Sequence, residues 1–229
     1  MKKFFLLTIA LSLGSFMFSQ ECDMYFASRE GATLEYKSYN AKDKQQSSMK
    51  QTVVKRSSVP GGVLLTIESQ VMDGRNKEPF RNQYNVKCEN GVFTVEMKSF
   101  LGPNSQQKND AQSTIEADNL DLPKNPKPGD ALKGGSVRIK MGSQNVPMMN
   151  LGMSITISNR KVDAIEEITT PAGTFKCVKI SYDVESKFGF AVRSKGMEWY
   201  CKDVGMVRSE AKDKSGKLTS YTVLTAFNK

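Results

Sequence analysis

The sequence contains no histidine, and this absence excludes the commonest forms of enzymatic catalysis. A Ser-His-Asp triad or a Cys-His pair needs an imidazole as its general base. Zinc hydrolases that hold the metal through histidine, and proton shuttles that titrate near neutral pH, need the same side chain. The chain therefore lacks the residues for much of the hydrolase repertoire, and we predict no catalytic residue.

Cysteine is scarce, and its spacing excludes a metal site. Because no two cysteines form a Cys-x-x-Cys turn and no histidine is available, we predict no zinc site and no cofactor. An even number of cysteines in an oxidising compartment indicates two disulfides, for which three connectivities are possible. We predict one bridge between two strands of the same half and another that fastens the N-terminus to the first strands. The four cysteines, in these predicted pairs, are Cys177 with Cys201 and Cys22 with Cys88.

Long apolar runs are absent except at the N-terminus, where the pattern is that of an export signal. Met1-Lys2-Lys3 precedes an apolar or small stretch from Phe4 to Phe18, and Ser19 offers a small residue for cleavage. The run is shorter than the roughly 20 apolar residues that span a bilayer. Residues 1–19 are therefore predicted to be a signal peptide. Loss of its two lysines would lower the formal charge from +9 to +7.

The expected compartment is the periplasm or the outside of the cell. Cys22 raises the alternative of a lipoprotein, but Glu21 directly before it is unfavourable for lipidation. We therefore expect a soluble mature protein without a membrane span, which starts at Gln20.

Strand patterns dominate the rest of the chain. β-Branched and aromatic residues alternate with polar ones between turn clusters, as in residues 137–141, so that one face meets a core and the other meets water. This pattern predicts an all-β protein whose antiparallel sheets form a sandwich or a curved half-barrel. The predicted strands are residues 33–39, 51–54, 63–72, 83–88, 92–97, 137–141, 154–158, 175–182, 197–201, 206–210 and 219–227.

The turn sequences agree with these strands. Asn90-Gly91 predicts a type I′ hairpin, in which both central residues need positive φ. Pro171-Ala172-Gly173 predicts another tight connection, so Gly173→Val should damage folding. Gly205 would let its strand bend or bulge.

A polar segment from 102 to 135 divides the strands into two groups. It contains Pro103, Pro123, Pro126 and Pro128 and few apolar residues, which is typical of a long ordered crossing or a linker. We predict a single domain over 20–229, with possible halves at 20–101 and 136–229. Similar turn spacing in the two groups favours a duplication, although β proteins also scatter turns at such intervals.

One segment resembles a known family. Residues 162–177, with Thr170-Pro171-Ala172-Gly173-Thr174-Phe175 at their end, are followed by Glu198-Trp199-Tyr200 and by Val204-Gly205-Met206-Val207. This pattern, with Pro128-Gly129-Asp130-Ala131-Leu132, resembles the TapB-like family of exported β-rich bacterial proteins of unknown function, over roughly residues 31–227. The resemblance implies a fold and a compartment, and it implies no activity, substrate or site residue.

Three groups of side chains could carry chemistry. Four methionines could bind Cu(I), but they are more typical of an irregular core. Asp163, Glu166 and Glu167 could act as acids and bases, but adjacent strand residues point to opposite faces, so a solvated strand edge is the better interpretation. Replacing these three carboxylates together by amides should therefore leave function unchanged. Four aromatic residues could line a sugar or lipid site, and core packing is the better interpretation. The methionines are Met141, Met148, Met149 and Met153, and the aromatic residues are Phe188, Phe190, Trp199 and Tyr200.

These observations favour a non-catalytic exported binding or envelope-accessory protein whose ligand or partner is an unknown envelope or extracellular molecule. The alternative is a carrier that holds an apolar or lipid-like molecule in a β cavity. An enzyme that uses only carboxylates is the third hypothesis. Nucleic acid is excluded as a partner by the compartment and because the basic stretches lack interleaved aromatic residues.

Overall fold

Thirteen β-strands make up almost all of the chain that the structure describes. The computed structural model describes residues 24–73, 78–97, 113–141 and 151–229. Strands account for 75% of the described residues, which confirms the predicted all-β class. The strands are β1 (Thr33–Asn40), β2 (Gln45–Val59), β3 (Gly62–Asp73), β4 (Phe80–Glu89), β5 (Val92–Glu96), β6 (Ser113–Ala117), β7 (Asn119–Pro123), β8 (Gly135–Met141), β9 (Leu151–Thr170), β10 (Gly173–Phe188), β11 (Phe190–Cys201), β12 (Gly205–Asp213) and β13 (Leu218–Asn228).

All of these strands belong to one antiparallel sheet that nearly closes into a barrel. Their order is β6-β8-β9-β10-β11-β12-β13-β1-β2-β3-β4-β5-β7. Consecutive strands are mostly neighbours because tight turns join them, as is usual in antiparallel sheets. Of the two predicted architectures, the curved barrel is therefore correct and the two-sheet sandwich is not.

The barrel is closed by a chain crossing at Asp118. Strands β6 and β7 occupy the two edges of the sheet, and this single residue separates them. The Asp118 amide donates to the Ser136 carbonyl at 2.8 Å, and Met97 N donates to the Asp118 carbonyl at 3.2 Å. The Asp118 carboxylate accepts from Ser136 N and Oγ at 2.8 and 3.0 Å, which lowers its pKa. The described part of segment 102–135 is thus an ordered crossing that contains two strands.

The predicted turns have the expected backbone. Asn90 and Gly91 both have positive φ, 51° and 80°, as a type I′ hairpin requires. Gly173 has φ 133°, a conformation that disfavours a β-branched side chain. Gly205 has φ 120° and lies next to a bulge opposite Tyr200.

One end of the barrel is filled by large apolar side chains. We call it the closed end; it carries the turns after Val59, Glu89 and Thr170. The segment Met24–Ala27 lies buried there, held by hydrogen bonds from Ala27 N to Val204 O and from Asp203 N to Met24 O at 3.1 and 2.7 Å. Several core residues have no exposed surface, among them Leu34, Val53, Leu65, Ile67 and Leu224.

One of the two predicted disulfides is confirmed. Cys177 and Cys201 face each other in register on β10 and β11 and are bonded. Cys88 is also disulfide-bonded. Because Cys22 lies outside the described residues, its pairing with Cys88 stays a prediction.

Candidate functional site

The opposite end, which we call the open end, carries the turns at 41–44, 189 and 214–217. Here the inward-facing side chains of several neighbouring strands are small and polar. Residues that pair in register share a face of the sheet, and Ser38 lies two residues beyond the buried Tyr36, so it faces the interior. A row of four hydroxyl residues runs across the strands from this position: Ser209, Thr222, Ser38 and Ser47. Ser38 and Thr222 hydrogen bond through their hydroxyls at 2.8 Å.

A second row lies one step closer to the rim. Tyr182 on β10 pairs with Gly196, which pairs with Ala211, and this residue pairs with Ser220 and then Asn40. Only Tyr182 is large. Strands β11, β12, β13 and β1 therefore contribute little volume to the interior at this end.

These rows indicate that side chains fill the interior incompletely at this end. Eight-stranded barrels are just wide enough for side chains to fill, and this sheet has 13 strands. The inward residues Ser38, Ser47, Ser209 and Thr222 are all partly exposed, although they face the interior. A small cavity deeper in the barrel, lined by Phe93, Ile180 and Glu198, measures about 10 Å³, the volume of roughly one water-sized probe. We call the interior at the open end, between the two rows, the chamber.

Glu198 provides the ionisable group at the floor of the chamber. It pairs with Ser209 and so shares the hydroxyl row's face. The Tyr182 hydroxyl donates to its Oε1 at 2.8 Å, and Tyr200 also hydrogen bonds to it. Burial raises the pKa of Glu198, while the two tyrosines and the charge of Arg160 oppose that rise. The pKa values of Tyr182 and Tyr200 are well above their ordinary value, chiefly because of burial.

Gly196 fixes the position of Tyr182. A Cβ atom at Gly196 would lie 2.2 Å from Cε2 and 2.3 Å from Cζ of the Tyr182 ring. The ring therefore lies directly on the backbone of β11, from where its hydroxyl reaches Glu198. Only glycine allows this approach.

Arg160 is a buried cation that faces the same carboxylate. It lines the small cavity together with Glu198 and Tyr200. Its Nη1 donates to the carbonyl oxygens of Asp121 and Lys133 at 3.1 and 2.6 Å, so it ties β9 to β7 and to the chain before β8. Burial lowers its pKa, and the charges around it, including Glu198, oppose this shift. Arg160 thus stabilises both the seam of the barrel and the negative charge of Glu198.

Another polar pair extends the floor. Gln51 Nε2 donates to the Tyr84 hydroxyl at 2.8 Å. Burial raises the pKa of Tyr84, so the phenol stays neutral. The floor of the chamber therefore presents phenol, amide and carboxyl groups rather than hydrocarbon.

A cleft of about 290 Å³ lies beside the β10–β11 hairpin at the same end of the barrel. Its charged lining is mixed, since two carboxylates stand among three cations. The charged residues are Asp183, Glu185, Arg193, Lys195 and Lys214.

Of the predicted carboxylate group, Glu166 has a structural role. It accepts a hydrogen bond from Trp199 Nε1 at 2.7 Å and lies 3.6 Å from Lys179 Nζ. Lys179 and Arg208 cover the Trp199 ring at 5.3 and 5.8 Å from its centroid. Glu166 is therefore half-buried and bonded, and the interpretation of a solvated strand edge was wrong for it. Glu167 is exposed, as expected.

The other predicted groups have mixed outcomes. Trp199 is buried, at 4% exposed, but Phe188 and Phe190 are 63% and 74% exposed, so the core prediction was wrong for these two. Met153 packs against a second core cluster, which is separate from the core at the closed end and contains Met97, Leu120, Val137, Ile139 and Ile157. Met148 and Met149 lie outside the described residues, and the Met141 side chain is likewise not described. Among the described residues, no cluster of three or more acidic or cysteine side chains could hold a metal ion.

Glu198 was not predicted as a site residue, because it belongs to the motif Glu198-Trp199-Tyr200, which packing alone explains. The signal that could have found it is the recurrence of small residues at alternate positions in neighbouring strands. That signal needs the register of the strands, which one sequence does not supply.

Comparison with known proteins gives a family and a fold. The DUF3108-like family matches residues 29–224. The chain belongs to the DUF3108-like family. The resemblance to the TapB-like family is not confirmed. Among curated proteins, no sequence matches this chain.

Two crystal structures share the fold. One is a protein from Bacteroides fragilis NCTC 9343 described as exported and as having a YmcC-like fold, with 23% identity and a TM-score of 0.75. The other is a protein from Parabacteroides distasonis ATCC 8503 described as a lipoprotein, with 26% identity and a TM-score of 0.75. Each match covers 91% of this chain and 100% of the other. In the part of the chain that the structure describes, no helix has the length and apolar character needed to span a bilayer.

Proposed function

We propose that this protein is a non-catalytic exported binding protein of the cell envelope that holds a small ligand in its chamber. The observation that carries the proposal is the pair of rows of small inward-facing residues, from which we infer that side chains do not fill the open half of the wide barrel. Interiors of folded proteins are otherwise packed densely. Space that is open to solvent and lined by hydrogen-bonding groups is typical of a binding site.

The lining favours a ligand with polar groups. Glu198 accepts hydrogen bonds from a ligand when it is ionised, and the hydroxyls of Ser209 and Thr222 can donate or accept. A carboxylate at the floor favours a neutral hydrogen-bonding or a cationic group there over an anionic one. The kinship with proteins described as exported and as a lipoprotein supports a place in the envelope.

A second candidate is a carrier of amphiphilic molecules. The wall formed by β7, β8 and β9 is apolar, as shown by the second core cluster, which includes Leu120, Val137 and Ile139. A ligand with an acyl or aromatic part could contact that wall while its polar part meets the hydroxyl row. The same experiment distinguishes this candidate by the mass and the solvent partition of the retained molecule.

The test is native mass spectrometry of the protein isolated from the envelope of its own host. We expect a non-covalent adduct that is retained by the wild-type protein and lost in Ser209→Leu, which fills the chamber. Ser48→Leu is the matched control, because Ser48 pairs with Lys37 on the outward face and should leave the adduct in place. Loss of the adduct in both variants, or its retention in both, would contradict the proposal.

A separate experiment tests the hypothesis of an enzyme that uses only carboxylates. Amides at Asp163, Glu166 and Glu167 should leave binding unchanged, since Glu166 is engaged with Trp199 and Asp163 lies 3.2 Å from Lys161 Nζ. Loss of function with an unchanged melting temperature would favour an enzyme instead.

A further inference from the structure

The tip of the β10–β11 hairpin exposes three large apolar side chains to solvent. Phe188, Phe190 and Val192 are 63%, 74% and 52% exposed. Phe188 pairs with Phe190 across Gly189, which has φ 75° and allows the tight turn. Because strand residues alternate between faces, the three side chains lie on one face of the hairpin. They form an apolar tip.

This concentration differs from the rest of the described surface. The other exposed large apolar residues, Val54, Met72 and Ile165, occur singly and are only 37% to 44% exposed. Isolated apolar residues are normal on a soluble protein, whereas a cluster at one projecting point marks an interaction site.

The tip projects beyond β12 on one side, while on the other side β9 stays paired with β10 as far as Met153 opposite Phe188. Pairing between β11 and β12 ends at Ser194, so residues 190–193 extend beyond β12. The hairpin itself stays paired up to Phe188 and Phe190. The backbone groups that β10 and β11 share are thus satisfied, whereas the outer edge of residues 190–193 has no neighbouring strand among the described residues, so only the side chains of the tip would enter the apolar phase.

Cations lie beside the apolar tip, on the opposite face of the hairpin. Glu185 bonds to both Lys187 and Arg193 at 2.8 Å, and these two cations alternate along the strands with the apolar side chains. Lys195 and Lys214 line the cleft beside the hairpin together with Asp183, and Lys42 and Lys44 lie in the turn after β1 at the same end. Apolar side chains next to lysine and arginine fit the boundary between anionic headgroups and acyl chains.

We propose that the apolar tip inserts into the surface of a membrane that contains anionic lipids. This inference does not require a ligand in the chamber, because it rests on three exposed side chains at the rim, which continue the interior face of Gly196 and Glu198 past the end of β12. The tip lies at the end opposite to Met24–Ala27. The N-terminal side of the mature chain therefore faces away from the membrane that the tip would contact.

Co-sedimentation of the mature chain with lipid vesicles tests the proposal. We expect binding to vesicles of phosphatidylcholine mixed with phosphatidylglycerol, weak binding to phosphatidylcholine alone, and weaker binding at higher salt. Phe188→Ser combined with Phe190→Ser should reduce binding roughly tenfold or more. Ile165→Ser is the matched control, since it removes an exposed apolar residue elsewhere and should bind like the wild type.

Fluorescence places the tip itself in the lipid. In Phe190→Trp, the new indole should shift its emission to the blue when anionic vesicles are added, while the native Trp199 is already buried. Melting curves of all variants establish that they are folded. Equal vesicle binding by the double serine variant, or no shift for Phe190→Trp, would overturn the proposal. Dimerisation that depends on the tip, without vesicle binding, would overturn it as well and would assign the tip to a second copy of the chain.

Discussion

The two ends of the barrel differ in the size of the side chains that face the interior. At the closed end, large residues such as Leu34 and Leu65 and the segment Met24–Ala27 fill the interior completely. At the open end, Ser209, Thr222 and their neighbours leave the interior accessible. Since both ends belong to the same strands, the difference comes from side-chain size and not from strand geometry. We therefore expect stability to depend mainly on the closed end and the proposed ligand binding to depend on the open end.

The largest expected effect comes from the closed end. Leu34→Ala should lower the free energy of unfolding by about 3 kcal/mol, because it opens a cavity at a fully buried position. Ser209→Ala at the open end should change it by less than about 0.5 kcal/mol. Urea unfolding of the two variants measures the contrast, and similar losses in both would show that the two ends are packed alike.

The disulfide at the closed end should be nearly as important. Replacing Cys177 and Cys201 together by alanine removes a bridge between residues 24 apart in sequence and should cost about 3 kcal/mol. Non-reducing peptide mapping of the wild-type protein should also recover Cys22 linked to Cys88. Recovery of Cys22 linked to Cys177 or Cys201 would contradict the assignment.

At the open end, Gly196→Ala should have an intermediate effect. The new methyl group would displace the Tyr182 ring from the strand and break its hydrogen bond to Glu198. We expect a loss of about 1–3 kcal/mol together with loss of the retained ligand. Gly152→Ala is the matched control, since the nearest atom to its Cβ would be the Ile139 carbonyl oxygen at an ordinary 3.5 Å. An equal change in the two glycine variants would show that Tyr182 has no special position.

The smallest effect concerns the charge of Glu198. Burial raises the pKa of Glu198 in the folded protein above its ordinary value of 4.5. Ionisation therefore lowers the free energy of unfolding as the pH rises from the pKa of the unfolded chain through the raised pKa of the folded protein. Glu198→Gln lacks this cost. The variant should have the stability of the wild type at acid pH and should be more stable than the wild type toward neutral pH.

Melting curves across this pH range give the comparison, with Glu167→Gln as the control for the loss of one negative charge. If Glu198→Gln is instead more stable than the wild type at acid pH and loses this advantage toward neutral pH, the fold stabilises the ionised form of Glu198.

The sequence was sufficient to predict most strands, because β-branched residues alternate with polar ones wherever one face is buried. It was also sufficient for the Asn90-Gly91 hairpin and the Cys177–Cys201 pair, which depend on local chemistry and on neighbouring strands. Strands β6 and β7 were missed, since each has only five residues and lies in a polar, proline-containing segment. Barrel closure was missed with them, because it depends on Asp118 meeting Ser136 across the seam.

The chamber could not be predicted for a related reason. A serine at one position of a strand has no distinctive pattern, and the hydroxyl row appears only when Ser209, Thr222 and Ser38 are placed in register. Phe188 and Phe190 were assigned to the core because large aromatic residues usually pack there. Their exposure follows from the length of the hairpin, which extends past its neighbour β12.

Labelling of an introduced thiol tests most directly whether the open end contains an accessible chamber. In Ser209→Cys, the inward thiol should react with a small methanethiosulfonate reagent and should be protected from a maleimide that carries a long polyethylene glycol chain. In Ser48→Cys, the outward thiol should react with both reagents. If Ser209→Cys reacts with neither reagent, the open end is filled; if it reacts with the bulky reagent as fast as Ser48→Cys, the row does not face an enclosed space.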